Sequence, residues 1–152
     1  MKDILSPLCF ESRMGMEPRG MIELGNRAYM LFDGDCGICT WFADFAMRTD
    51  VPRYFYVEPY QRVPEAEMQP FGLSHADCAR RLRVITRRGK VHSGAFAVNN
   101  FLIHYFPWNL LVVLLYLVTP LLLLEIIAYE LVARNRARLS RWLGMKACLA
   151  QK

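Results

Sequence analysis

The chain is poor in the residues from which many catalytic centres are built. Its 152 residues include three histidines, and charged residues make up 22%, slightly below the globular average of about 25%. There is no Ser/His/Asp constellation, no Gly-rich phosphate loop and no helical stretch rich enough in carboxylates for a metal centre. These absences argue against triad hydrolases, phosphate-loop nucleotide enzymes and carboxylate-held metal enzymes. Cysteine is scarce too: five in a mid-sized chain, an odd number that does not suit a secreted disulfide framework. Residues Met1 to Glu11 hold no apolar run long enough for a signal peptide, so a cytoplasmic, reducing location is expected. Charge is missing altogether from Val91 to Leu124, 34 residues without Asp, Glu, Lys or Arg.

What is present is mostly apolar. Hydrophobic residues reach 54%, and the length is that of one domain able to bury a substantial core. The net charge of +5 is unevenly placed. Residues 1–90 carry 13 basic and 12 acidic side chains, whereas 125–152 carry six basic and two acidic. The basic excess therefore belongs to the C-terminal end.

The informative stretch runs from Tyr29 to Arg48. Ala28–Phe32 reads as a buried strand that stops at Asp33-Gly34. Asp35-Cys36-Gly37-Ile38-Cys39 follows, and a helical pattern begins at once. Ile38, Trp41, Phe42, Phe45 and Ala46 recur at helical spacing and predict one buried face. A Cys-x-x-Cys at a strand-to-helix junction points to redox chemistry. A helix N-terminus presents unpaired N–H groups and partial positive charge, which stabilise a thiolate. Cys36 is expected as an exposed nucleophile ahead of the first turn, with Gly37 leaving it uncovered. Cys39, one turn on, is placed to resolve a mixed disulfide. Asp33 and Asp35 oppose thiolate formation, so only a modestly acidic Cys36 is expected. Asp33 has two open roles, proton acceptor for Cys39 or simple turn residue.

Residues 1–27, with three glycines, two prolines and four methionines, read as a loosely ordered lead-in. Asp50-Val51-Pro52 breaks the first helix, and Tyr54–Val57 is a second strand. This strand, helix, strand order predicts a parallel pair with a right-handed crossover. A short helix is expected near Glu65–Phe71. Arg81–Thr86 and Val91–Ser93 predict a hairpin around Arg87-Arg88-Gly89-Lys90, a basic but solvated turn that suggests no nucleic acid partner. Ser93 is a candidate cap for a helix reaching His104. The order is βαβ, a link, then ββα: an α/β, thioredoxin-like connectivity. A redox core over 28–106 and a C-terminal helical extension over 107–152 are expected.

Asp33-Gly34-Asp35-Cys36-Gly37-Ile38-Cys39 resembles the Asp-Gly-x-Cys-x-x-Cys signature of the DCC family of thiol–disulfide oxidoreductases. Further matches are Gly89 in the hairpin, Ser93-Gly94 leading to Ala97, Pro120, and Tyr129 followed by Ala133-Arg134-Asn135-Arg136. The resemblance spans roughly residues 28–142. It implies a thioredoxin-like fold with Cys36 and Cys39 as the redox pair and Asp33 as the acidic residue opening the motif. It implies no cofactor and no metal, and as partners a disulfide-bearing protein or small thiol and an electron donor of unknown identity. Thioredoxins place a cis-proline before the strand facing the cysteines; here Arg81 precedes Leu82.

Two rival classes stay open. His75-Ala76-Asp77-Cys78 has His-x-x-Cys spacing and with Cys36 and Cys39 makes a candidate zinc-stabilised binding module. A membrane-associated scaffold is the other. His92 and His104 lie among apolar residues and read as core histidines, while Cys9 and Cys148 read as incidental thiols. Residues 108–124 are leucine-rich around the whole circumference, and Pro120 suits the first turn of a new helix. Two core helices on the sheet remain one reading. The other is contact of 108–124 with the cytoplasmic membrane surface or with a second copy of the chain.

Overall fold

The protein is described from a computed structural model covering residue 22 and residues 24–50, 52–145 and 147. Apart from Ile22 and residues 24–27, the expected lead-in lies outside the described residues, as do Cys9 and Cys148. Four strands and six helices are described. They are β1 (Ala28–Phe32), α1 (Gly37–Thr49), β2 (Phe55–Pro59), α2 (Glu65–Met68), α3 (His75–Arg80), β3 (Arg83–Ile85), β4 (Val91–Ser93), α4 (Ala95–Leu102), α5 (Trp108–Leu117) and α6 (Thr119–Trp142). Short 3-10 turns at Tyr60–Arg62 and Gln69–Phe71 flank α2.

The strand order is β2-β1-β3-β4. β1 runs parallel to β2 and antiparallel to β3, and β3 pairs antiparallel with β4. This is the thioredoxin-like arrangement with added C-terminal helices. The parallel pair follows from α1, because a helical crossover returns the chain in the same direction. β1, the most apolar strand, lies inside the sheet and divides its side chains by the two-residue period. Ala28, Met30 and Phe32 join Phe55, Val57 and Val84 beneath Ala43 and Ala46 of α1 and Phe101 of α4. Leu31 points the other way, with Ile85, toward Val63, Met68, Leu73 and Cys78.

Several expectations change. Trp41 is 51% exposed, stacked on Phe45 rather than buried. The fully buried positions of α1 beyond Gly37 are Ala43 and Ala46, because only small residues let the helix lie close on the sheet. Ser93 ends β4 and caps nothing. Gly94, at φ +61, is the N-cap of α4, and its missing side chain admits the ring of Tyr129. His104 is exposed, its Nδ1 beside the Asn100 carbonyl at 2.7 Å. Pro120 does open α6 in its first turn.

Asp50, at the end of α1, ties both ends of the crossover together. Its buried carboxylate accepts the Tyr54 and Phe55 N–H groups at 2.7 Å each and the Tyr105 hydroxyl at 2.6 Å. Burial, then the Asp50 carboxylate, pushes the Tyr105 phenol far above its ordinary range. Asp50→Ala would strand three donors, and each unpaired buried group costs about 1–3 kcal/mol. Equilibrium urea unfolding should show a loss of about 3 kcal/mol or more for Asp50→Ala. Tyr105→Phe, which leaves two bonds intact, should lose about half as much.

Candidate active site

The site is built where β1 ends in the middle of the sheet. A turn follows at once, closed by the Cys36 N–H on the Asp33 carbonyl at 3.2 Å. Asp33 fixes it further by accepting the Asp35 N–H at 3.1 Å, the local bond that makes Asp a turn former. Gln61, just after β2, clamps the turn from outside. Its amide donates to Asp33 Oδ1 at 2.9 Å and to Asp35 at 3.4 Å, and its carbonyl accepts the Gly34 N–H at 3.2 Å.

Cys36 is the N-cap of α1, in extended conformation. Its sulfur does what a capping oxygen usually does, accepting the Cys39 N–H at 3.3 Å. The Cys39 thiol donates to the same sulfur, with the two Sγ atoms 2.6 Å apart. Both cysteines are free thiols. One sulfur thus collects two donors at a helix start, and this arrangement favours its anion.

The titration follows. The hydrogen bond from the Cys39 thiol brings Cys36 down from an ordinary 9.0 to about 7. Burial opposes this, the Cys39 N–H and the Arg136 guanidinium assist it, and Asp33 resists it. Cys39 moves far upward, first because its proton is held by the Cys36 sulfur and then through burial. The pair therefore divides into a thiol that ionises near neutral pH and a firmly protonated partner.

Cys36 is not the open nucleophile that its position suggested. It is 6% exposed, less than Cys39. The end of α6 comes close to this turn. A side chain added at Gly37 would collide with Ser140 Oγ and come within 2.6 Å of the Met145 carbonyl. Gly37 is there to let the end of α6 approach, not to leave Cys36 bare. Two more contacts bind α6 to this end of the sheet. Arg136 pairs with Asp33 at 3.0 Å, and the Tyr129 hydroxyl accepts the Leu82 N–H at 3.1 Å. Leu31 pairs with Arg83, so Leu82 lies beside the turn that carries the cysteines.

The four candidate zinc ligands do not come together. Cys39 packs against the α1 side of the sheet, whereas Cys78 is buried on the opposite side beside Met68. Burial pushes the Cys78 thiol up to about 11. His75 places Nε2 2.8 Å from the Val63 carbonyl. Among the described residues, no group of three or more His, Cys, Asp or Glu is placed to hold a metal ion.

The sequence pointed to Cys36, Cys39 and Asp33, which the structure brings together, but it gave Gln61 and Tyr129 no place at this turn. It counted Arg136 among the basic residues beyond the apolar run, whereas Arg136 pairs with Asp33. Tyr129, Ala133, Arg136 and Ser140 recur at i, i+4, i+7 and i+11 on α6, a stripe that helical periodicity could have marked as facing the site.

The Arg136 contribution can be measured. Alkylation rate against pH should give a Cys36 midpoint near 7. Arg136→Gln removes a nearby cation and leaves Asp33 unneutralised, and both changes disfavour the thiolate. The midpoint should rise but stay below 9.0, since the Cys39 hydrogen bonds remain. An unchanged midpoint would remove Arg136 from the electrostatics of the pair.

No curated protein and no solved structure matches the chain. A family model does, over residues 30–142, which takes in the last three residues of β1, the cysteine pair, the other three strands and α6. On that match, and with the paired thiols at the head of α1, the chain belongs to the DCC1-like thiol-disulfide oxidoreductase family.

Proposed function

We propose that the protein exchanges a Cys36–Cys39 dithiol with the disulfide of a protein or small molecule. The observation that carries this reading is the Cys36 sulfur at the head of α1, holding two hydrogen bonds from Cys39. The Cys36 thiolate attacks one sulfur of the substrate disulfide. A mixed disulfide forms and the other substrate sulfur leaves as a thiolate. Cys36 no longer carries charge, so the chief cause of the raised Cys39 pKa is gone. Cys39 then loses its proton and attacks Cys36 Sγ, expelling the second substrate thiolate. The substrate gains two electrons, the Cys36–Cys39 pair loses two, and an external dithiol donor restores it.

The burial of Cys36 sets a condition. A disulfide reaches that sulfur, 6% exposed, only when the structure around it gives way. Asp33 has its charge balanced by Arg136 and its Oδ1 held by Gln61. We assign it the proton from Cys39 during resolution, when a nearby carboxylate is the available acceptor.

Trapping separates the cysteine roles. Cys39→Ser should accumulate a mixed disulfide through Cys36, detectable by intact mass, whereas Cys36→Ser should form none and lose turnover. Equal trapping by both variants, or none by either, would overturn the assignment.

Asp33→Asn tests the proton transfer. In rapid-quench experiments, release of the mixed disulfide should slow more than its formation, by the factor of about 10²–10⁴ usual for a positioned acid or base. If release is unchanged between about pH 6 and 8 while the protein loses stability, Asp33 acts only as the anchor of its turn.

A further inference from the structure

α5 and α6 expose an apolar surface far larger than the scattered leucines of an ordinary protein exterior. Among its helical residues α5 buries only Val112, and α6 has no fully buried residue. Leu110, Leu114, Leu117, Leu121 and Leu124 all face outward, with Leu117 at the bend 76% exposed. Among the described residues no single helix is long and apolar enough to cross a membrane. Only α5 and α6 taken together reach that composition, and they are bent by 112° at Val118.

We propose that this elbow inserts into one leaflet of an anionic lipid bilayer, with the second half of α6 lying against the head groups. Length supports a shallow entry. The ten residues of α5 rise about 15 Å, roughly half of a hydrocarbon core about 30 Å thick. The vertex suits an apolar medium. The Val118 N–H reaches the Leu114 carbonyl, and the Leu121 and Leu122 N–H groups both reach the Val118 carbonyl. Pro120 has no N–H to leave unpaired.

Charge completes the argument. Leu124, Ile127 and Leu131 continue at spacings of three and four into Arg134, Arg138 and Arg141. All six are exposed, so one outward stripe of α6 is apolar in its first half and basic in its second. Trp142, 82% exposed, closes it, a residue favoured at membrane–water interfaces. Of the two acidic residues of α6, Glu125 bonds to Asn99, and Glu130 pairs with Arg81 at 2.8 Å and only at 4.0 Å with Arg134, whose side chain stays 80% exposed. A second copy of the chain would cover one side of each helix. Lipid surrounds a helix, and the exposed leucines lie around much of both.

Flotation of the full chain with vesicles tests this. The wild type should float with vesicles of equimolar phosphatidylcholine and phosphatidylglycerol, and bind less well to phosphatidylcholine alone. Arg134→Gln, Arg138→Gln and Arg141→Gln should each weaken binding about fivefold, the worth of one basic residue near an anionic surface. The double variant Leu117→Glu with Leu121→Glu should abolish it. Both positions are exposed, and an unchanged Cys36 titration would show the double variant folded. Wild-type protein that stays with the aqueous phase overturns the proposal, as does a double variant that still floats. Failure to float, together with a dimer in sedimentation that the double variant dissociates, assigns the surface to a second copy instead. The readout is lipid binding, so the outcome stands apart from the redox reading.

Discussion

The ion pair between Asp33 and Arg136 joins the start of the redox motif to a helix far downstream, and much of the site depends on it. Asp33 is buried; its backbone carbonyl accepts the Cys36 N–H, and its carboxylate has three partners, the Asp35 N–H, the Gln61 amide and the Arg136 guanidinium. A carboxylate so placed is tolerable only because those donors replace water. Removing the guanidinium would leave a poorly compensated buried charge, the situation in which breaking a pair costs most. The pair also decides where α6 lies. With Tyr129 on the Leu82 N–H and Ser140 and Met145 against Gly37, it draws one side of α6 along the end of the sheet.

This placement reconciles two properties that oppose one another in a thiol. Burial disfavours a thiolate, yet Cys36 is both buried and acidic. The compensation is local and comes in order of size: the Cys39 thiol, then the Cys39 N–H, then Arg136. The first two come with the helix start and would exist in any Cys-x-x-Cys so capped. The third is brought by α6. A helix far along the chain thus supplies a cation that offsets part of the cost of burial.

How far the site was legible follows from the range of each interaction. β1, the turn, the Cys36 cap and the direction of β2 rest on neighbours within a few residues or on one crossover, and local pattern carries that information. Asp50 was readable as a helix stop, yet its carboxylate bonds to Tyr54, Phe55 and Tyr105 depend on where α4 delivers Tyr105. Trp41 matched the helical period of α1 and still faces outward, because periodicity gives a stripe but not which edge of it meets the sheet. The approach of α6 to the cysteine turn was invisible for a stronger reason. The helix lies about a hundred positions away, and its register is set by Tyr129, Arg136 and Ser140, residues that look unremarkable beside the leucines around them.

α6 is therefore asymmetric in a way its overall composition conceals. Its site-facing stripe is chosen for specific bonds, whereas the opposite stripe passes from exposed leucine to exposed arginine and packs on no other element of the described residues. A helix under only the first demand would gain by replacing Leu124, Ile127 and Leu131 with polar residues, since their exposure to water costs roughly 25 cal/mol for each Å² that a partner could cover. That these positions are apolar, and that the stripe becomes basic where the leucines end, is the pattern of a helix with a second surface to satisfy. Because the two stripes lie on opposite sides, a bilayer held against the outer one leaves the inner one on the redox pair. The sulfur atoms then sit on the protein side of α6, away from the lipid.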